Sequence, residues 1–522
     1  MKLSKGHKHS MWLDLAVVAV VALGMRLWGL GFDLPNLYHR DEAKYVSIPL
    51  TILKTGDFNP HFFNYPSLFF YALSFLYILY FLVMASRGHV GSLDGIVLPE
   101  QVLENVVGRA AMPSQFLVGR GFVAVTGVLT VLLVYWLGRR AYSRRAGLIA
   151  ALLLAFSPTH IRNSHFVAPD VSMVLLVMAS FAFCLEVWLQ GRRKDYVAAG
   201  LLAGLAISTK YNAYAIVAPL LLAHVLRRRD EPLLDADILI SGAACAAGFL
   251  MATPYALLDL PAFLNGIGFE MRHYATRGDP GTEGQNAILW YARYLTRTEG
   301  PAPLLAAIEG ARALLRRRVK TLLLLTFPFV YTLQVSFYKV KNDRTAMAII
   351  PFLAILAGAL LDRKIIPMTA RVRDRYGSRL AWAAAACVVL LVLSWPAWGG
   401  VNIDARFADD DVRTQVTQWM EQELQGSVRI VGEYYSPLWT PSHHEFRWVD
   451  RAIDLPLSWY QANADYVVLV ENRYGGFYLD PARYAAQIAA YEAMSSEFEL
   501  VREFQGGALG NSCHAIVYRV RP

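Results

Sequence analysis

The stretch "YHRDEAKYV" places two adjacent carboxylates, Asp41 and Glu42, just beyond an apolar run that starts near Trp12. Ionisable groups are costly at the edge of a membrane-compatible run, so they are expected to move a proton or pair with a cation. Three other polar stretches also lie between apolar runs. They are "SPTHIRNSHFVAPD" with His160, Arg162, Asn163, His165 and Asp170, "STKYN" with Lys210, and "FYKVKNDR" with Lys339, Lys341, Asp343 and Arg344. The first stretch also carries His39, Arg40 and Lys44, and continues into "NPHFFNYPSLFFY" with His61, Asn64 and Tyr65. Acids from two stretches facing cations from two others suit a reaction that deprotonates one partner and stabilises an anionic leaving group on another.

Each residue also has a plainer reading. Asp is a preferred helix N-cap, which would account for Asp41, and Asp170 follows Pro169 where a first-turn acid is ordinary. Arg344 could snorkel at the membrane boundary, although cations are scarce on the outward side of most membrane proteins. His39, His61 and His165 leave a divalent metal ion open as a cofactor beside the acids, but their spacing fits no standard ligand pattern. The pair His443 and His444 reads as a loop, and the acid runs at 235–237 and 409–411 read as solvated helix starts.

The elements that must position these groups follow from composition. The chain has 522 residues, 55% hydrophobic and only 17% charged, against roughly 25% charged in a soluble domain. It reads as a polytopic membrane protein. The net charge of +9 does not imply a nucleic-acid partner, because Lys and Arg fall in short clusters between apolar runs. Three of the four cysteines, Cys184, Cys245 and Cys387, lie inside apolar runs and leave Cys513 alone, so no disulfide framework or zinc spacing exists.

Apolar segments fall near residues 12–30, 118–137, 147–163, 170–190, 197–209, 213–226, 238–254, 301–315, 320–337, 345–361 and 379–399. They make about eleven crossings. The basic clusters at 139–145, 192–194, 227–229, 316–320 and 362–375 mark the cytoplasmic side, which also receives the N-terminus, read as an uncleaved anchor. The polar stretches then face outward. Residues 67–86 are long enough to span, but would invert every later loop, so they are expected to lie along the outer interface or to re-enter; their many Phe and Tyr residues suit an interfacial belt.

From residue 401 the pattern changes. "DVRTQVTQWMEQEL" and "YAAQIAAYEAM" have helical spacing, while "SVRIVGEYY", "DYVVLVEN" and "HAIVYRV" read as strands. Residues 401–522 are expected to form a small extracytoplasmic α/β domain after a transmembrane domain over 1–400.

The acidic pair after the first apolar run, "NYPSLFFY", "SPTHIRNSHFVAPD", "GLAISTKYNA", "TPYALLDLPAFL" and the basic loop before "IIPFLAILAG" together resemble the lipid-carrier-dependent GT-C glycosyltransferases. Protein O-mannosyltransferase-like and aminoarabinose-transferase-like enzymes are the nearest kind, and the resemblance covers roughly residues 12–400. It implies an all-α polytopic membrane domain with interfacial helices. It also implies that Asp41 is the catalytic base with Glu42 beside it, that Asp170 is the second-loop acid, and that Arg344, Lys341 and Lys210 contact the lipid phosphate. Arg162, His165, Tyr65 and His61 are further candidates for binding substrate. The chain departs from the family in reading "YPSL" where many relatives have "PPL", and Arg344-Thr345 where they have Arg-Tyr.

The expected function is an inverting glycosyltransferase of the cell membrane. It would move a sugar from a polyprenyl-phosphate donor to a hydroxyl of an extracytoplasmic protein, lipid or glycan. A transporter or lipid flippase is the alternative, and would place its charges near the midplane with an inverted repeat.

Overall fold

The computed structural model describes the chain apart from residues 1–4, 40, 90, 93–94, 104–106, 111, 230, 277, 279, 366, 368–372, 376, 437–443, 507–513 and 522. Arg40, His443 and Cys513 therefore lie outside the described residues.

The architecture is mostly helical. The first part of the chain forms α1 (Lys5–Leu27), β1 (Asn36–Leu37), α2 (Glu42–Thr55), α3 (Leu68–Ser86), β2 (Glu100–Leu103), β3 (Val107–Arg109), α4 (Pro113–Ala141), α5 (Arg144–Ala155), α6 (Pro158–Ser164) and α7 (Pro169–Gln190). It continues through α8 (Arg193–Ile207), α9 (Val217–Arg227), α10 (Ala236–Ala252), α11 (Tyr255–Leu258), α12 (Leu260–Thr276), α13 (Ala287–Thr298) and α14 (Ala302–Leu315). Then come α15 (Val319–Ser336), α16 (Asp343–Met347), α17 (Ile350–Leu360) and α18 (Ser378–Ala408).

The punctuation is local. Ser143 caps α5 by accepting from the Ala146 amide, and Ser157 caps α6 by accepting from the His160 amide. The Ser157-Pro158 step divides the expected 147–163 span into α5 and α6, because Pro tolerates only the first helical turn. Gly191, at φ 63°, closes α7 in the left-handed conformation that glycine adopts most cheaply.

All eleven apolar segments contain helix, but several are short or broken. Helices α3, α4, α7 and α15, and the run that begins at Ser378, are long and apolar enough to cross a membrane. Close approach of helices follows small residues. A Cβ on Gly200 would stand 2.1 Å from the Ser241 carbonyl oxygen, and one on Gly204 would stand 2.1 Å from that of Cys245. The Gly200/Gly204 pair thus lets α8 lie backbone to backbone on α10.

Ion pairs sort onto two rims of the bundle. Arg144 with Asp14 (2.6 Å), Arg140 with Glu186 (2.7 Å), Arg193 with Asp237 (2.8 Å) and Arg145 with Asp362 (3.2 Å) share one, the basic rim. The opposite rim gathers Asp41, Asp170, Lys210 and Arg344. Helix α3 begins there, with its Leu68 amide donating to Ser208 at the end of α8. Further along, the Tyr77 hydroxyl donates to the Gln115 carbonyl and Tyr80 meets Ser114 at the start of α4, on the same rim. By length and composition α3 is also a candidate to cross a membrane.

Helix α18 runs past residue 400 to Ala408, and the break comes at Asp409. The tail then forms α19 (Val412–Glu423), β4 (Arg429–Glu433), β5 (Glu445–Val449), α20 (Leu457–Asn463), β6 (Tyr466–Val470), α21 (Glu471–Tyr474), α22 (Ala485–Glu497), β7 (Glu499–Phe504) and β8 (Ala515–Arg519). The sheet order is β5-β4-β6-β8-β7, with β4 parallel to β5 and β6, and β8 antiparallel to β6 and β7. The strands expected from sequence are the three central ones. The edge strands β5 and β7 were not, because their half-exposed positions carry no sustained apolar run.

Candidate active site

The site forms where the loop before α2, the N-terminus of α7, the end of α8 and the start of α16 converge. The Arg344 guanidinium donates to the Asp41 carboxylate at 2.8 Å, across 303 residues of sequence. The Lys210 ammonium donates to Asp170 at 2.6 Å. The two pairs are neighbours, because Arg344 interacts electrostatically with both Asp41 and Asp170. They differ in access. The Asp41 and Arg344 side chains are 31% and 25% exposed, whereas Asp170 and Lys210 are 3% and 9% exposed. A ligand can therefore reach the first pair directly, and the second lies beneath it.

Lys210 lies 5.4 Å from the Tyr65 ring centroid, and Tyr65 meets Tyr45 edge-on at 5.6 Å. Arg162 of α6 donates to Asp343 at 2.6 Å, which fixes the residue before Arg344. Burial raises the Asp343 carboxyl, but Arg162 and Arg344 outweigh it and hold the group below the usual range. Lys341 donates to the backbone carbonyls of Thr282 (3.1 Å) and Lys339 (3.2 Å), three residues from Arg344.

Other candidates fall elsewhere. Glu42 is fully buried and accepts two hydrogen bonds from Arg120, at 2.9 and 2.8 Å, and one from the Val167 amide at 2.8 Å. Both of its oxygens are engaged, and it ties α2 to α4 and to the Val167 amide. His165 is buried, with Nδ1 2.9 Å from the Ile161 carbonyl and Nε2 2.9 Å from that of Trp28, so packing has claimed it. His61 is exposed and pairs with Asp57 at 2.8 Å, outside the charged pocket. Asp57 and Asn59 form local Asx turns there, accepting from the Asn59 and His61 amides. Burial lowers the His39 imidazole to about 4, so it stays neutral where it stacks on Phe166.

Two residues near the pocket carry no signal in the sequence. Arg120, in the apolar run of α4, pairs with Glu42. Glu270 of α12 hydrogen-bonds with Asn64 and interacts with Lys210 and Asp41, and burial raises its carboxyl to about 7. Its segment is an ordinary amphipathic helix, so only the fold brings it to the pocket.

Asp41 faces Arg344 and Asp170 faces Lys210, and among the described residues no three His, Cys, Asp or Glu side chains are grouped to ligate a metal ion.

A family model described as dolichyl-phosphate-mannose-protein mannosyltransferase matches residues 112–255. No curated protein matches the chain by sequence. Among solved structures, the archaeal oligosaccharyltransferase AglB from Archaeoglobus fulgidus superposes at a TM-score of 0.55 with 14% identity, over 95% of this chain and 73% of that one. ArnT from Cupriavidus metallidurans, in the apo state, superposes at 0.53 with 16% identity over 98% of both chains. The fold is that of the GT-C glycosyltransferases. The matched region 112–255 runs from α4 to the start of α11 and includes Asp170 and Lys210, while Asp41 and Arg344 lie outside it. The apolar helices and the GT-C fold make it a multi-pass membrane protein.

Proposed function

We propose that this protein is an integral-membrane, inverting glycosyltransferase that uses a polyprenyl-phosphate-linked sugar and acts at the Asp41–Arg344 rim. The observation that carries this reading is the reachable Asp41–Arg344 pair, 2.8 Å apart and backed by Lys210 and Asp170. The similar structures include AglB in complex with a dolichol-phosphate and ArnT bound to undecaprenyl phosphate, the latter at a TM-score of 0.51. The rim opposite the basic clusters is taken as extracytoplasmic, which puts the tail domain outside and the N-terminus in the cytoplasm.

The chemistry follows from an exchange of partners. A lipid chain anchors the donor by burying methylenes, each contributing about 0.8 kcal/mol, which leaves its phosphate at the interface. That phosphate takes the Arg344 guanidinium from Asp41, with Lys341 and the Lys210 charge nearby. The freed Asp41 carboxylate accepts the proton of the acceptor hydroxyl as its oxygen attacks the anomeric carbon. The bond from that carbon to the phosphate oxygen breaks with its electrons on the phosphate, where Arg344 stabilises them. Attack and departure on opposite faces invert the anomeric centre.

Gathering of the acids and cations at one rim favours transfer over the transporter alternative, which needs midplane sites. The decisive experiment is Asp41→Asn. Sugar transfer should fall by about a hundredfold or more, with expression and polyprenyl-phosphate binding retained; normal turnover in this variant would end the assignment. Comparing envelope glycans and glycoproteins from a deletion strain by mass would then identify the sugar and the acceptor.

A further inference from the structure

On the basic rim, three arginines from separate stretches of chain close on one acid. Glu309 of α14 is fully buried, and its Oε1 lies 3.3 Å from Arg363, just beyond α17, and 3.5 Å from Arg318, in the turn between α14 and α15. Its Oε2 lies 3.9 Å from Arg312, one turn along α14. Arg363 is also held from the other side, with its guanidinium 4.4 Å from the ring centroid of Tyr142 at the end of α4.

The charges in this cluster do not balance. One carboxylate meets three guanidiniums, which leaves two positive charges in excess. The contacts are also long, because a committed guanidinium–carboxylate bond is about 2.7–2.9 Å, as Arg120 makes with Glu42 at 2.9 and 2.8 Å. Glu309 therefore gathers the arginines without saturating them. Among the described residues, Arg312 Nη2 is buried with no hydrogen-bond partner. The Arg312, Arg318 and Arg363 side chains stay reachable, at 21%, 31% and 34% exposed, while that of Glu309 is sealed. Beside them Leu314 and Leu315 are exposed on the last turn of α14, so the cationic pocket adjoins an apolar surface. Positive-inside bias asks only for cations on this side and does not require them to converge.

We infer that this pocket binds the phosphate headgroup of an anionic phospholipid from the leaflet at the basic rim, with the acyl chains against Leu314 and Leu315. A phosphodiester supplies the missing negative charge and the paired acceptor oxygens that a guanidinium engages. Basic pockets between membrane helices take headgroups of this kind. The site lies on the rim opposite Asp41 and Arg344 and does not depend on the chemistry proposed there.

The test uses the full chain in detergent, with phosphatidylglycerol as the probe and bound lipid counted by native mass spectrometry. Arg318→Gln and Arg363→Gln should each raise the Kd about fivefold, and together about twenty-five-fold; Arg312 remains to pair with Glu309. Glu309→Gln should act in the opposite sense and lower the Kd about fivefold, a result that a merely structural role for the cluster would not give. Phosphatidylcholine should bind more weakly than phosphatidylglycerol, and equally in every variant. The inference is overturned by equal binding of the two lipids to the wild-type chain, by an unchanged phosphatidylglycerol Kd in the double variant, or by a folded Glu309→Gln chain that binds no tighter. Displacement of the lipid by millimolar inorganic phosphate would also overturn it, marking a site for a soluble anion. If the double variant fails to fold, the single variants carry the same direction.

Discussion

Asp41 and Glu42 are sequence neighbours with opposite fates, and burial decides between them. Glu42 is sealed against Arg120, whose guanidinium also donates to the Leu30 and Phe32 carbonyls. Asp41 stays partly open with a partner that an anion can take away. Removing one member of a buried pair leaves an uncompensated charge, costing about 3–5 kcal/mol. Glu42→Ala should therefore lower the thermal unfolding midpoint in detergent markedly, whereas Asp41→Asn should leave it near wild type while abolishing transfer. Glu270 adds a pH dependence. Burial raises its carboxyl to about 7, so below that pH it is neutral and adds no negative charge beside the Lys210–Asp170 pair. Above about 7 it ionises and opposes an incoming phosphate. The KM for the lipid donor should rise as pH passes through 7, and Glu270→Gln should flatten that profile.

At the scale of elements, the helices of the bundle were legible because apolar runs, Ser caps and Pro starts are local signals. The breaks within them were less so: α5 and α6 read as one span until Ser157 and Pro158 are seen to cap a second helix. The composition of α3 permits a crossing, and only the parity of the basic clusters argues against one. Close packing can be tested at Gly200. A branched side chain there would drive into the Ser241 carbonyl, and overpacking of this kind costs about 1–3 kcal/mol. Gly200→Val should separate α8 from α10, lowering the unfolding midpoint and displacing Lys210 at the end of α8, with donor affinity falling alongside.

For the whole molecule, two charged rims imply two sides. Lys339 and Arg193 are both exposed, the first near Arg344 and the second on the basic rim. In sealed right-side-out vesicles an impermeant maleimide should label Lys339→Cys readily and Arg193→Cys only after permeabilisation. The reverse pattern would invert the proposed orientation and place the chemistry in the cytoplasm.

By itself the sequence determined the membrane class, the helical segments and the residue types gathered in the polar stretches. These follow from hydropathy, charge placement and short-range capping, which act over a few residues. Only the tertiary structure decided which ions meet. Arg344 reaches Asp41 and Lys210 reaches Asp170 across long stretches of chain, and Glu270 arrives on an unremarkable helix. It also buried Glu42 and His165 among hydrogen-bond partners and paired His61 with Asp57, because burial and hydrogen-bond partners at a distance fix access to a charge, and the local pattern carries no record of either.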